Sequence, residues 1–287
     1  MYRTNNILAL VPPTEEGQKI LNQVLFFQQN LGMRIFVLNI LEKPGLLRRL
    51  ISKDRISDTK KEALKIQHEF VREAMGGNVP DNMAIRVKAG NILRILFSQS
   101  KNGGYEFMVI DKSQDSVSLN RYETDKIISR SFCPVMTINK DYPVKEIKKI
   151  IIPVDISQAT KKKLLWATYF AKKFDAEIKI VSALNINISS RKSLVWRNAE
   201  HLKYMLHERG VECEVKILKT REKDKYKVIH EYLEKENPGL VIIRTHQDSN
   251  MSGTQIGRFV SEIVHESRIP VFTVNRFLYP MPVDFEY

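Results

Sequence analysis

The chain has 287 residues, enough for two ordinary domains that each bury a hydrophobic core. Hydrophobic residues make up 43% of the sequence, and 12 glycines and 11 prolines are too few for a fibrous or low-complexity chain. Lysine and arginine outnumber aspartate and glutamate by 46 to 33, a net charge of +13 that attracts polyanions without specifying one. The basic residues are spread over both halves rather than along one stripe, so we expect a solvated basic surface and no nucleic-acid partner.

No apolar run approaches the ~18 residues that span a bilayer, and residues 1–13 lack the apolar stretch of a signal peptide. We therefore expect a cytoplasmic protein without membrane association. Cys133 and Cys213 fall in predicted strands of different halves, which argues against a disulfide framework and against a clustered metal site. Both cysteines are expected to be buried thiols.

The first half alternates short runs rich in valine and isoleucine with amphipathic segments, as a parallel sheet with crossover helices does. Its predicted strands lie near residues 6–11, 33–40, 83–88, 106–111 and 134–138. A polar segment containing Pro143, residues 139–148, follows and is predicted to link the two halves.

The second half has the same alternation. Its predicted strands lie near residues 149–154, 177–183, 212–218, 239–244 and 270–274. Between the first two strands, Leu164, Ala167, Ala171 and Phe174 recur at helical spacing, so this face of the helix is predicted to lie on the sheet.

The two halves repeat one another in the order strand, polar turn, helix and strand, and they also end alike. SFCPVMTIN at 131–139 and SRIPVFTVN at 267–275 each enter a last strand through a proline, which a strand tolerates at its first residue. Because the two halves repeat the same order of elements, we expect them to share one fold. The predicted fold class is α/β, with two tandem five-stranded parallel sheets.

The second half contains the stretches KKIIIPVD at 148–155, TKKKLLWATYFAKKFDAEIKIV at 160–181, GVECEVKIL at 210–218, and LVIIRTH followed by IPVFTV. In this combination they resemble the universal stress protein family, and the first half looks like a more divergent copy. The resemblance implies two Rossmann-like domains of the adenine nucleotide alpha hydrolase type, at 1–140 and 147–276, with a tail at 277–287. It also implies that the last strands of the two domains pair, forming an intrachain pseudo-dimer.

The resemblance assigns positions to an ATP site. In ATP-binding members, an aspartate after the first strand and a backbone group after the second contact the adenine; Asp155 and Ala183 match them. The phosphates lie on a loop of the form Gly, two residues, Gly, nine residues, Gly and then Ser or Thr. The loop positions here carry Arg244, Thr245, His246, Gln247, Gly257 and Arg258.

Glycines suit such a loop because the backbone can then approach an anion closely. Only Gly257 remains, and Arg244 and Gln247 would conflict sterically with a nucleotide posed as in the family. In the first half, Pro12 takes the aspartate position and Asp111 the first glycine position, where a carboxylate would repel phosphate. We therefore expect no cofactor. One alternative stays open: Arg244, His246 and Arg258 bind an anion, ATP included, through their side chains.

No pattern of catalysis or metal binding is present. The chain lacks G-x-S-x-G, G-x-x-x-x-G-K-[ST] and G-x-G-x-x-G, and its six histidines form no H-E-x-x-H pair. His201 and His207 are six apart on a predicted helix, too poorly aligned to hold a metal together, so we expect them at the surface. We predict no catalytic residue and no metal site.

The sequence thus predicts a non-catalytic stress-response protein that has lost ATP binding and acts through its surfaces on an unknown protein partner, with a homodimer as one form of assembly. The aromatic tail RFLYPMPVDFEY at 276–287 packs either on its own domain or on a partner. Two alternatives remain: a nucleotide or anion sensor that uses the second half alone, and charge-driven association with nucleic acid.

Overall fold

The computed structural model describes residues 5–42, 53–113, 119–154, 161–187, 189, 193–221, 225–245 and 256–274. Strands and helices alternate through both halves. In the first half they are β1 (Asn6–Leu10), α1 (Glu15–Leu31), β2 (Arg34–Leu41), α2 (Lys53–Ala74), β3 (Met83–Ala89), α3 (Ile92–Asn102), β4 (Phe107–Asp111), α4 (Arg121–Arg130) and β5 (Val135–Ile138). In the second half they are β6 (Lys149–Pro153), α5 (Lys161–Phe174), β7 (Glu177–Asn185), α6 (Leu194–His207), β8 (Cys213–Thr220), α7 (Lys225–Glu236), β9 (Leu240–Arg244), α8 (Arg258–Glu266) and β10 (Val271–Val274).

All ten strands form one sheet in the order β3-β2-β1-β4-β5-β10-β9-β6-β7-β8. The order within each half is the same, and the pairs within each half are parallel. The two halves meet at β5 and β10, which pair antiparallel through Val271 and Thr137, Phe272 and Met136, and Thr273 and Val135. The predicted α/β fold and the predicted pairing of the last strands are both observed.

Reciprocal side-chain bonds reinforce this central pair of strands. The Thr137 hydroxyl donates to the carbonyl of Val271 at 3.2 Å, and the Thr273 hydroxyl donates to the carbonyl of Val135 at 2.9 Å. Both threonines are buried, so each hydroxyl needs such a partner. The pairing therefore relates the halves by an approximate twofold axis between β5 and β10.

Helices cover both faces of the sheet, as the non-alternating apolar strands require. Buried side chains of α1, α2, α5 and α6 pack on one face, and those of α3, α4, α7 and α8 on the other. The predicted inner face of α5 is confirmed, because Leu164, Ala167, Ala171 and Phe174 are all buried. None of the described helices is both long and apolar enough to cross a bilayer.

Two expectations need correction. Cys133 is buried but lies two residues before β5 rather than in a strand, and Cys213, the first residue of β8, is only half-buried. The linking segment is also less solvated than its polar sequence suggests, because Lys140 and Ile147 are both buried. The aromatic tail at 276–287 lies outside the described residues.

Candidate functional site

The strand order places one crevice in each half. In an open α/β sheet, ligands bind beyond the carboxyl ends of the strands where the order of connection reverses. That reversal falls between β1 and β4 in the first half and between β6 and β9 in the second. Because the halves run antiparallel, the N-terminal crevice and the C-terminal crevice open at opposite edges of the sheet.

The C-terminal crevice contains the positions assigned to an ATP site. Ala183 is buried in β7, Arg244 is the half-buried last residue of β9, and Thr245 directly after it is fully buried. The Thr245 amide donates to the carbonyl of Val274 at 3.1 Å, and its carbonyl accepts from the Gly257 amide at 3.4 Å. The second bond brings the end of β9 next to the start of α8. Asp155, His246 and Gln247 lie outside the described residues.

Arg258 is engaged by its own helix. Its Nε donates to Glu262 Oε1 at 2.6 Å, and its side chain is 79% exposed. This is an ion pair one helical turn apart, of a kind that contributes little to stability when exposed. In this conformation the Glu262 carboxylate takes up the Nε donor of Arg258 and offsets part of the charge that an anion would meet.

The amino end of α8 begins at a glycine. Gly257 is its N-cap residue and offers no side chain, and no acidic residue lies in the first turn. The first amide groups of a helix lack partners within the helix and carry the positive end of its dipole. The C-terminal crevice therefore keeps one element of an anion site, although the glycines before it are replaced.

Polar side chains form a buried network at the carboxyl ends of β4 and β5, beside the N-terminal crevice. Asp111 Oδ1 accepts from the Ser113 amide at 3.2 Å and from the Lys140 amide at 3.1 Å, while the Ser113 hydroxyl donates to Asp111 Oδ2. Lys140 Nζ donates to the Ser113 hydroxyl at 3.0 Å. All three residues are buried, so the network closes the position that the resemblance assigns to the first glycine.

The helix that follows this crevice is capped by its own residues. Asn120 Oδ1 accepts from the Glu123 amide at 3.0 Å, and Glu123 Oε2 accepts from the Asn120 amide at 3.1 Å. This capping box satisfies two amide groups that an anion would otherwise bind, and it adds a carboxylate. The amino end of α4 thus has a side-chain cap and an acidic residue, whereas α8 begins at a glycine and has no acidic residue in its first turn.

The end of β1 is closed as well. Gln67 of α2 is fully buried, and its Nε2 donates to the carbonyl of Val11 at 3.1 Å. Gly17 in α1 packs so tightly that a Cβ there would lie 1.7 Å from the carbonyl oxygen of Pro12. Both contacts are made with the two residues after β1, Val11 and Pro12, and Pro12 holds the position that the resemblance assigns to an aspartate.

Sequence reasoning missed Lys112, which follows Asp111. Its side chain is buried, and Nζ donates across the junction of the halves to the carbonyl of Ile269 at 2.8 Å. Burial lowers the pKa of Lys112 to about 7, and the nearby Asp111 carboxylate offsets only part of this effect. No sequence pattern marks this lysine, because its burial depends on the antiparallel arrangement of β5 and β10.

The thiols and histidines give no sign of catalysis. Burial raises the pKa of Cys133 to about 12 and that of Cys213 to about 12, so both thiols stay protonated and weakly nucleophilic. His201 and His207 are exposed, as expected. Within the described ranges, no three His, Cys, Asp or Glu side chains are placed to share a metal ion.

Comparison with known proteins concerns mainly the C-terminal half. Residues 146–275 match the model of the universal stress protein family. The C-terminal half is therefore similar to a universal stress protein domain. This half holds the C-terminal crevice, with Ala183, Arg244 and Gly257 at the positions described above.

Solved structures extend the likeness to both halves. A universal stress protein from Archaeoglobus fulgidus DSM 4304 is 16% identical, with a TM-score of 0.71, over 96% of this chain and 98% of its own. A functionally unknown protein from Pseudomonas aeruginosa PAO1 is 15% identical, with a TM-score of 0.61, over 95% and 92%. At such identities the likeness shows the fold alone, and it covers both halves of the chain. No curated protein sequence matches the chain significantly.

Proposed function

We propose that this chain is a non-catalytic, cytoplasmic stress-response protein that does not bind ATP in either crevice and acts through its surfaces on protein partners. The observation that carries the proposal is the buried Asp111 carboxylate, held by Ser113 and Lys140 where phosphate would lie. A buried charge with satisfied hydrogen bonds is costly to displace, and it repels a second anion.

The C-terminal crevice supports the proposal less directly. Arg244 ends β9 at the position that the resemblance assigns to a loop glycine, where any side chain competes with phosphate for space. Arg258 takes the place of a hydroxyl and pairs with Glu262. These replacements remove the small residues through which main-chain amides approach a triphosphate.

Thermal unfolding with and without Mg-ATP tests the proposal. A ligand at a hundred times its dissociation constant adds about 2.7 kcal/mol of stability, which raises the melting temperature by several degrees. We expect no shift at millimolar Mg-ATP for the natural chain. A variant carrying Arg244→Gly, Gln247→Gly and Arg258→Ser restores the glycines and the hydroxyl, so it should gain a shift.

A second candidate function rests on the amino end of α8, which begins at Gly257 and has no acidic residue in its first turn, unlike the amino end of α4. In that alternative, the C-terminal half binds a smaller anion through the α8 amides and the Arg244 and Arg258 side chains. Inorganic phosphate would then stabilise the natural chain, and Arg258→Gln would abolish the effect. Equal melting temperatures with and without phosphate, at fixed ionic strength, would exclude this candidate.

A further inference from the structure

A cavity of about 720 Å³ lies where the segment between the halves crosses the amino ends of β6, β9 and β10. Its wall is formed by residues 141–146, 148, 149, 237–239 and 268–270. Small-molecule sites in proteins usually measure about 300–1,000 Å³. The cavity lies at the opposite ends of β6 and β9 from the C-terminal crevice, so it is a separate site.

Two of the charged residues of this cavity are already neutralised. The Asp141 carboxylate accepts from Lys19 Nζ at 2.9 Å and from Lys140 Nζ at 3.4 Å, and the bond from Lys19 is the main cause of its lowered pKa. Lys149 Nζ donates to Glu236 Oε2 at 2.6 Å. Neither Asp141 nor Lys149 is therefore the main determinant of the charge that a ligand meets.

The remaining charges of the wall are mostly positive. Lys145, Lys148 and Arg268 face only Glu146 as a counter-charge within the wall. Lys148 lies 3.7 Å from Asp175, but these side chains are 63% and 100% exposed, and such a pair is weak. The cavity thus carries an excess of positive charge, which favours an anionic ligand.

Arg268 is arranged to bind an anion. Its guanidinium carbon lies 4.9 Å from the ring centroid of Tyr142, and no carboxylate among the described residues pairs with it. Stacking on an aromatic ring fixes the plane of a guanidinium, while its edge stays free to donate two parallel hydrogen bonds. A carboxylate, sulfonate or phosphate accepts such a pair of bonds.

The wall also contains five apolar residues. They are Pro143, Val144, Pro238, Ile269 and Pro270. Proline has a fixed backbone angle and loses little entropy when it becomes ordered, so such a wall is largely preformed. These residues offer an apolar surface in the same cavity as the Arg268 guanidinium.

We propose that this cavity binds a small anion joined to a flat apolar body, such as an aromatic carboxylate, sulfonate or phosphate. Arg268 binds the charged group, Lys145 and Lys148 add to its attraction, and Tyr142 with the prolines contacts the apolar body. The site goes beyond the proposed function and is independent of both crevices, so loss of ATP binding leaves it unaffected.

Fluorescence titration of the full chain with anilinonaphthalene sulfonate tests this site. We expect saturable binding of one probe per chain, weakened about tenfold or more by Arg268→Gln, because a charge-assisted bond is lost. Tyr142→Ala should weaken binding severalfold. Both side chains are exposed, so the variants should melt at the temperature of the parent.

Tyr122 supplies a matched control. It is 63% exposed and lies beneath a cation, Lys126 Nζ, 4.1 Å from its ring centroid, but it is not part of the cavity wall. Tyr122→Ala should leave the affinity for the probe unchanged, and uncharged phenylnaphthylamine should bind at least about tenfold more weakly than the sulfonate. The proposal is overturned by non-saturable binding, by an unchanged affinity in Arg268→Gln, or by equal losses in Tyr122→Ala and Tyr142→Ala.

Discussion

Asp111 and Lys112 are neighbours in the sequence, yet their buried charges are stabilised very differently. Asp111 accepts from two backbone amides and a hydroxyl, whereas Lys112 has the single carbonyl of Ile269 as acceptor. Desolvation therefore outweighs the attraction of Asp111 for Lys112 and lowers the pKa of the ammonium group to about 7. A lysine in this state makes the stability of the fold depend on pH.

The sign of this dependence follows from the two pKa values of Lys112. The folded value, about 7, lies below the ordinary 10.5, so the unfolded chain binds more protons between them and stability rises with pH. Relative to Lys112→Met, the free energy of unfolding of the natural chain should rise by up to about 1 kcal/mol per pH unit from about pH 7 to about pH 10. Chemical denaturation at each pH measures this difference in the free energy of unfolding, and Lys172→Met is the exposed control. A difference that stays constant between about pH 7 and about pH 10 would contradict the lowered pKa of Lys112.

Glu236 stabilises the fold through a carboxylate whose contribution is lost in acid. Hydrogen bonds from Lys149 at 2.6 Å and Lys179 at 3.1 Å lower its pKa from 4.5 to about 2. Its contribution is therefore complete above about pH 4.5 and is lost as the pH falls towards 2. Glu236→Gln should cost about 1 kcal/mol at neutral pH, because the cluster is partly exposed, and the deficit should shrink in acid.

Urea denaturation of Glu236→Gln from neutral pH to about pH 2 tests this prediction. Glu214→Gln is the matched control, since Glu214 lies 3.7 Å from Lys179 with a side chain that is 61% exposed. It should cost less than about 0.5 kcal/mol. A deficit in Glu236→Gln that grows as the pH falls would contradict the assigned pKa shift.

The burial of charged residues could not be predicted from the sequence. Charge alone places Lys112 and Lys140 on the surface, and only the tertiary arrangement of β4, β5 and β10 buries them. The replaced glycine positions at Arg244 and Asp111 can be predicted from spacing, because the resemblance assigns each position. The hydrogen bonds of Lys140 with Asp111 and Ser113 cannot be predicted, since they join residues far apart in the chain.

At the scale of elements, α4 and α8 hold the halves together on one face of the sheet. Asp125 of α4 accepts from the Ser261 hydroxyl at 2.8 Å and lies 2.8 Å from His265 Nε2, both in α8. These helices follow the fourth strand of each half, so the contact crosses the approximate twofold axis. The aspartate lies between the serine and the histidine, whereas in a Ser–His nucleophile pair the serine hydroxyl donates directly to the histidine.

Loss of the Asp125 carboxylate should destabilise the fold. Asp125→Ala is expected to lower the free energy of unfolding by about 2 kcal/mol, and Ser261→Ala by about 1 kcal/mol. The double variant should cost less than the sum, because both changes remove the same bond. Ser193, the N-cap of α6, lies in a helix on the other face of the sheet, so Ser193→Ala should add to Asp125→Ala within a few tenths of a kcal/mol.

The elements themselves were largely predictable. Every strand lies within two residues of its predicted bounds, because runs of β-branched residues, flanked by glycine, proline or polar turns, mark buried parallel strands. The helix α5 is buried on more of its surface than the sequence predicts. Trp166, Tyr169 and Phe170 are buried in addition to the predicted face. They pack where the halves meet, which no pattern within one half reveals.

At the scale of the whole molecule, an aromatic cluster joins the two halves. Phe107 of the first half lies 5.6 Å from Phe272 and 6.1 Å from Trp166 of the second, measured between ring centroids. Phe26 of α1 stacks on Phe174 of α5 at 5.8 Å. Together with the continuous sheet, these contacts predict that the full chain unfolds in one cooperative transition.

The halves should be interdependent when they are separated. Residues 147–276 alone expose the edge of β10 and the ring of Phe272, and an exposed strand edge recruits another strand. We expect a homodimer that replaces the lost β5 with a second β10, detected as a doubled mass by sedimentation. Adding residues 1–140 should convert it to a one-to-one complex, and a stable monomer would contradict the role of the β5 and β10 pair.

The most direct test of the account is a calorimetric titration of the full chain with Mg-ATP. The buried network beside the N-terminal crevice and the replaced glycines of the C-terminal crevice predict no saturable binding up to millimolar ATP. Micromolar binding of one ATP per chain, lost in the variant Ala183→Trp that fills the adenine position, would contradict it.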